Sequence, residues 1–110
     1  MHRAPCQVKE FLTLIRSRKR KMNLTSHART RCEKRMLPIE VVEDDLEKGT
    51  PLIVFEQESE DANERKFDVY YRQDADYSHR YVLILNGEIR LITVMRVRKG
   101  FQKRMAGEKR

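Results

Sequence analysis

The apolar positions of this chain change period near its middle, helical in the first half and alternating in the second. Val8, Phe11, Leu12 and Ile15 fall at i, i+3, i+4 and i+7. That stripe predicts an amphipathic helix over about 7–19. The run Arg16-Ser17-Arg18-Lys19-Arg20-Lys21 follows it, and cations there suit the negative end of a helix dipole. Residues 22–25 read as a short extended link. Ser26 reads as the N-cap of a second helix over about 27–36. On it Ala28, Cys32 and Met36 share one face, and His27, Arg31, Lys34 and Arg35 share the face beside it. Pro38 suits the first turn of a third helix over about 38–48. Ile39, Val42 and Leu46 form its seam, and Glu40, Glu43, Asp44, Asp45 and Glu47 cover the rest. Gly49 is placed to end this helix, and Pro51 blocks continuation.

Four strands are predicted after it, over about 52–57, 67–72, 80–85 and 88–98. Phe67, Val69 and Tyr71 alternate with Asp68, Tyr70 and Arg72, as in a half-buried strand. The expected fold is α+β, with N-terminal helices on one face of a four-stranded antiparallel sheet. Asn86-Gly87 is the strongest turn signal and predicts a two-residue hairpin. Such a turn pairs Leu83 with Arg90, Tyr81 with Ile92 and His79 with Val94. Val82, Ile84, Ile89, Leu91, Met95 and Val97 then face the helices. Tyr81, Leu83, Arg90, Ile92, Val94, Arg96 and Arg98 take the other, open face.

Length adds that 110 residues support one core. A single domain over 1–110 is expected, with its core over about 7–99 and a flexible basic tail over 100–110. Charge changes the picture more. Charged residues make up 37% of the chain and the net charge is +7, against a usual charged share of about 25%. The sign alternates by region: +9 over 1–35, −9 over 36–64 and +7 over 65–110. Basic ends favour a polyanionic partner. A surface laced with ion pairs would give the same composition.

No stretch approaches the roughly 20 apolar residues of a membrane span. Residues 1–8 hold no apolar core of a secretory signal. A cytoplasmic protein with Cys6 and Cys32 as free thiols is expected. No zinc-ligand spacing, Gly-rich phosphate loop or nucleophile elbow occurs, so neither metal nor cofactor is expected.

The candidate chemistry lies in two places. On the second helix, His27 titrates in the range useful for proton transfer, and Arg31, Lys34 and Arg35 stand beside it. On the last strands, Arg90, Arg96 and Arg98 can hold phosphates, and Tyr81 offers a stacking surface or a phenolic proton. Together they suggest an RNA-binding domain, with His27 and Tyr81 as the acid–base pair if RNA is also cleaved. The plainer reading is a helix-start histidine, arginines paired to the acidic middle and a solvated strand face. Two other functions fit the same residues: a non-enzymatic module that binds a protein partner through the acidic middle, and a basic DNA-associated accessory protein.

The segment Leu24-Thr25-Ser26-His27-Ala28-x-x-Arg31-x-x-x-Arg35, with Ile39, Val42 and Gly49 after it, resembles the opening of a family of small uncharacterised bacterial and archaeal domains. The resemblance covers roughly 23–99. The order of elements is similar to that of the RelE-like and BrnT-like ribonuclease toxins. That likeness implies metal-independent RNA cleavage and an antitoxin-like protein partner, although a fold alone does not carry function. A monomer is expected, because charge on Arg96, Arg98 and Lys99 protects the last strand from edge pairing. The helix seam turns the basic stripe sideways, which predicts a shallow groove with His27 on one wall and strand arginines on the other.

Overall fold

The computed structural model describes residues 3–16 and 22–98. The tail expected over 100–110 and most of the cationic run after Arg16 lie outside the described residues. In chain order the elements are β1 (Arg3–Cys6), α1 (Val8–Arg16), β2 (Met22–Leu24), α2 (Ser26–Lys34), α3 (Ile39–Lys48), β3 (Ile53–Gln57), β4 (Arg65–Arg72), β5 (Tyr77–Leu85) and β6 (Ile89–Arg98). The class is α+β. The expected four-stranded antiparallel sheet is overturned: six strands form one mixed sheet in the order β1-β3-β4-β5-β6-β2.

The two additional strands lie at the edges and are too short to show a period. β1 pairs antiparallel with β3, from Arg3↔Gln57 to Cys6↔Val54. It carries Pro5, which a sheet tolerates at an edge where no ladder donor is needed. β2 is the extended link before α2, and it runs parallel to β6, with Met22↔Ile89 and Leu24↔Leu91. Thr25 continues this contact. Its N–H donates to Leu91 O at 3.3 Å and its hydroxyl to Ile92 O at 3.4 Å. The same hydroxyl accepts from Ala28 N at 3.1 Å, so Thr25, not Ser26, is the N-cap of α2. One side chain therefore both starts the helix and fastens it to β6.

The end of α2 also departs from expectation. Met36 does not continue the seam. It takes φ 54° and is 84% exposed. Its N–H bonds Glu33 O, and the Leu37 N–H reaches back to Cys32 O. This is a Schellman closure with methionine in the left-handed position usually held by glycine. Leu37, not Met36, fills the core beside Ala28 and Cys32. At the end of α3, Gly49 has φ −79°, so a left-handed turn is not its reason. A Cβ there would lie 2.8 Å from Asp45 O and 3.2 Å from the Tyr71 ring. The last-turn carbonyl of α3, and then the Tyr71 ring of β4, leave no room for a Cβ, so glycine is required.

All three helices pack on one sheet face. Phe11 and Ile15 of α1, Ala28 and Cys32 of α2, and Val42 and Leu46 of α3 meet Val54, Phe67, Val69, Tyr71, Tyr81, Leu83, Leu85, Ile89, Leu91 and Val94. This differs from the expected division of β5 and β6, and the cause is the hairpin. Leu85 pairs with Ile89, leaving Asn86, Gly87 and Glu88 in the connection, with Gly87 at φ +101°. The extra turn residue shifts β6 by one position, which puts Ile89 and Leu91, before the bulge, on the face of Leu83 and Leu85. Further along, Leu83↔Leu91 is followed by Val82↔Thr93, so Ile92 is an unopposed bulge residue. Beyond it Val94 lies opposite Tyr81, Arg96 opposite His79 and Arg98 opposite Tyr77. Tyr81 and Leu83 thus belong to the helix-covered core, and Arg90, opposite Ile84, belongs to the other face.

That other face holds a smaller apolar cluster of Phe55, Tyr70 and Val97, with Ile53 and Met95 against it. Beside it, Asp68 is fully buried. Arg80 grips it through two bonds of 2.6 and 2.8 Å, and Arg3 binds it at 2.9 Å while stacking 4.2 Å above the Phe55 ring. Gln57 adds a bond at 3.4 Å. One carboxylate joins β1, β3, β4 and β5. Removing it leaves the partly buried Arg80 guanidinium without its carboxylate. Asp68→Ala is expected to cost about 3–5 kcal/mol in urea unfolding, and a loss below about 1 kcal/mol would contradict this role.

Candidate nucleic-acid interface

The amphipathic order of α2 decides which cations are free to act. Burial of Ala28 and Cys32 against the sheet leaves His27, Arg29 and Lys34 exposed and Arg31 and Arg35 half-buried. Arg35 bends toward the sheet, and its Nη1 donates to Val94 O at 2.5 Å. The C-terminal end of α2 is thereby fixed over β6, two residues before Arg96. Arg96 and Arg98 are exposed. Arg96 lies over the Tyr77 ring at 5.6 Å. Arg96 and Arg98 of β6 thus lie beside the half-buried Tyr77 ring, and Arg35 of α2 reaches the same strand at Val94.

The expected site is therefore gathered in part and divided in part. Arg35 reaches β6 at Val94, close in sequence to Arg96 and Arg98, and Arg31 and Lys34 stand on the same helix as Arg35. Arg90 is on the opposite sheet face and leaves the group. His27 is exposed on the first turn of α2, about 12 Å along the helix from Arg35 at 1.5 Å per residue. Tyr81 is fully buried, so it presents no surface for a base to stack on. Its hydroxyl is committed to Asp45 Oδ2 at 2.5 Å. The expected pairing of His27 with Tyr81 is lost, because the hairpin parity turns Tyr81 inward.

What lies around Tyr81 was not anticipated. His79 precedes it by two residues on the same face of β5, and His79 Nδ1 is 3.2 Å from the Tyr81 oxygen. Asp45, from α3, also accepts from Gln73 Nε2 at 2.9 Å. Tyr71 packs its ring 5.5 Å from that of Tyr81, and its buried hydroxyl has no hydrogen-bond partner among the described residues. Burial pushes the His79 imidazole below its ordinary range; Asp45 and Asp74 oppose this, and Arg96 adds to it. Burial, then the bond to Asp45, pushes the Tyr81 phenol far up, and burial does the same to Tyr71. The only sequence sign of this cluster was the alternation Tyr77, His79, Tyr81 at the start of β5, in a stretch read partly as loop.

Burial also raises the Cys6 and Cys32 thiols, which are both free and so poor nucleophiles. Among the described residues no group of three or more His, Cys, Asp or Glu is placed to hold a metal. No helix among them is long and apolar enough to cross a membrane. Comparison of the chain with known protein families, with curated proteins and with solved structures finds no match.

The lowered His79 pKa makes stability depend on pH with a defined sign. As pH falls through 6.5 the unfolded chain takes up this proton before the folded one does. His79 therefore contributes fully above that pH, and its contribution declines as pH falls toward the folded value. Unfolding free energies measured between about pH 7.5 and pH 5.5 are expected to fall on acidification, and His79→Gln to flatten that slope. Equal slopes in the two proteins would show that His79 is not held neutral.

Proposed function

We propose that this protein binds single-stranded RNA through the basic surface shared by α2 and β6. One observation carries the reading. Four cations have carboxylate partners: Arg3 and Arg80 on Asp68, Arg65 on Glu56 and Glu10, and Lys48 on Asp44. Arg31, Lys34, Arg96 and Arg98 have none among the described residues. Their charge is not consumed by the acidic middle of the chain, as the plainer reading of the sequence required. Arg96 and Arg98 beside a half-buried tyrosine, with the cations of α2 reaching the same strand through Arg35, match what a single strand needs. Guanidinium groups take phosphates, and an aromatic face takes a base.

His27, Arg31 and Arg35 are, on this reading, the RNA-facing residues of the family pattern that the segment resembles. Arg35 has the additional task of tying α2 to β6. The protein acts in the cytoplasm as a monomer. A protein partner docked on the acidic face of α3, or duplex DNA on the basic surface, are the outcomes that would replace the proposal.

The division of the arginines between two sheet faces supplies the test. Fluorescence anisotropy with a labelled single-stranded oligoribonucleotide, repeated over a salt series, should give an affinity whose logarithm falls linearly with the logarithm of salt. Arg31→Ala, Lys34→Ala and Arg96→Ala should each weaken binding and reduce the slope by about 0.7. Arg90→Ala, on the far face, should change neither. Equal losses from Arg90 and Arg96, a preference for duplex DNA, or no affinity at low salt would each reject the proposal.

A further inference from the structure

We propose that RNA binding at Arg96 is coupled to proton uptake by the buried His79 opposite it, so that the affinity of the basic surface rises on acidification. The inference rests on the RNA-binding reading and adds a regulation to it. No part of the RNA needs to touch His79. The coupling passes through the charge of Arg96.

The geometry begins at a half-buried carboxylate. Asp45 Oδ2 accepts from the Tyr81 hydroxyl at 2.5 Å. That hydroxyl has one proton, already given to Asp45, so at the 3.2 Å contact its oxygen accepts and His79 Nδ1 donates. A neutral imidazole protonated at Nδ1 has its lone pair on Nε2, and a further proton is added there. The positive charge that results is met by Asp45 through the phenol.

The groups around the imidazole come from every neighbouring element. Tyr81 shares its strand. Tyr71 is its register partner on β4, and Arg96 its register partner on β6. Asp45 stands on α3, and Asp74 in the loop before β5. Arg35 of α2 ends on Val94 O, at the next opposed pair inward on this face. Opposed residues of antiparallel strands have Cα atoms about 4.5–5.5 Å apart and point to one face. Asp45 and Asp74 favour a charged imidazole, while burial and Arg96 oppose it. Among the described residues Arg96 is the cation that does so, and it is also a residue of the proposed RNA surface.

A phosphate on the Arg96 guanidinium offsets that opposition. The bound protein then carries a proton on Nε2 at a pH where the free protein does not. Linkage makes the effect mutual: RNA favours the proton, and the proton favours RNA by the same factor. The sign follows. The free protein takes up this proton below 6.5, and bound RNA moves the midpoint back upward. Affinity therefore increases as pH falls through the midpoint of the bound protein, and levels off below that of the free one.

The test uses the full chain and a labelled single-stranded oligoribonucleotide, with anisotropy at about pH 7.5 and about pH 6 at one ionic strength. Wild-type affinity should be about five- to tenfold tighter at the lower pH. His79→Gln should bind within about threefold of wild type at the higher pH and lose that gain. His27→Gln, which removes the exposed histidine of α2, should keep the gain. A second readout needs no variant. The NMR titration midpoint of His79 should rise toward its ordinary value when RNA is added, and calorimetry in two buffers of different ionisation heat should show protons taken up. Without RNA, Arg96→Ala should raise the same midpoint. Circular dichroism and urea unfolding at both pH values establish that the variants fold. RNA bound equally at both pH values, an equal gain in His79→Gln, or a His79 midpoint unmoved by RNA would overturn the inference and leave the binding surface in place. RNA bound at neither pH would remove the binding proposal and this inference with it.

Discussion

The parity of the β5–β6 hairpin decides where nearly every important side chain of this protein lies. A connection of three residues rather than two moves Ile89 and Leu91 onto the face that holds Leu83 and Leu85, and closes the core beneath the helices. The bulge at Ile92 then resets the alternation, so Val94 remains on the core face and Arg96 and Arg98 follow it to the rim. β6 also receives β2 along its outer edge and α2 across its face. Without the bulge Arg96 would leave His79, and Arg35 would lose the carbonyl that fixes it.

Two carboxylates buried or half-buried on opposite sheet faces have contrasting surroundings. Asp68 is saturated by charge: two guanidinium groups and an amide hold it, and it joins four strands. Such a group has little left to do but hold. Asp45 has neutral donors only, the Tyr81 hydroxyl and the Gln73 amide. The same contrast separates the cations. Arg3, Lys48, Arg65 and Arg80 are bound in ion pairs, and those of α2 and the end of β6 are not, among the described residues.

Local patterns were legible where a long element carried its own period. The stripe of Phe11 and Ile15, the seam of Val42 and Leu46, and the alternation of Phe67, Val69 and Tyr71 all face the core as read from the sequence. The edges were not legible, because Arg3–Cys6 and Met22–Leu24 are too short to show periodicity and gain their structure from pairing. Met36 concealed a helix end, because a left-handed methionine has no glycine to announce it. Of the site, the arginines of α2 and the strand end were visible as charge. Tyr81 and Arg90 were misplaced for one reason, a single residue in a turn. His79 and Asp45 are far apart in sequence, and only the packing of α3 against β5 brings them together.

On the reading proposed above, the sheet end that carries Arg96 and Arg98, with His79 opposite Arg96, faces RNA. A long-range proton–nitrogen NMR spectrum of the histidine imidazoles, recorded at about pH 7 with and without a saturating single-stranded oligoribonucleotide, tests it most directly. The expected result is a neutral His79 protonated at Nδ1, whose unprotonated Nε2 resonance moves when RNA is added. A His79 protonated at Nε2 or at both nitrogens, or one whose resonances stay fixed while RNA is bound, would contradict it.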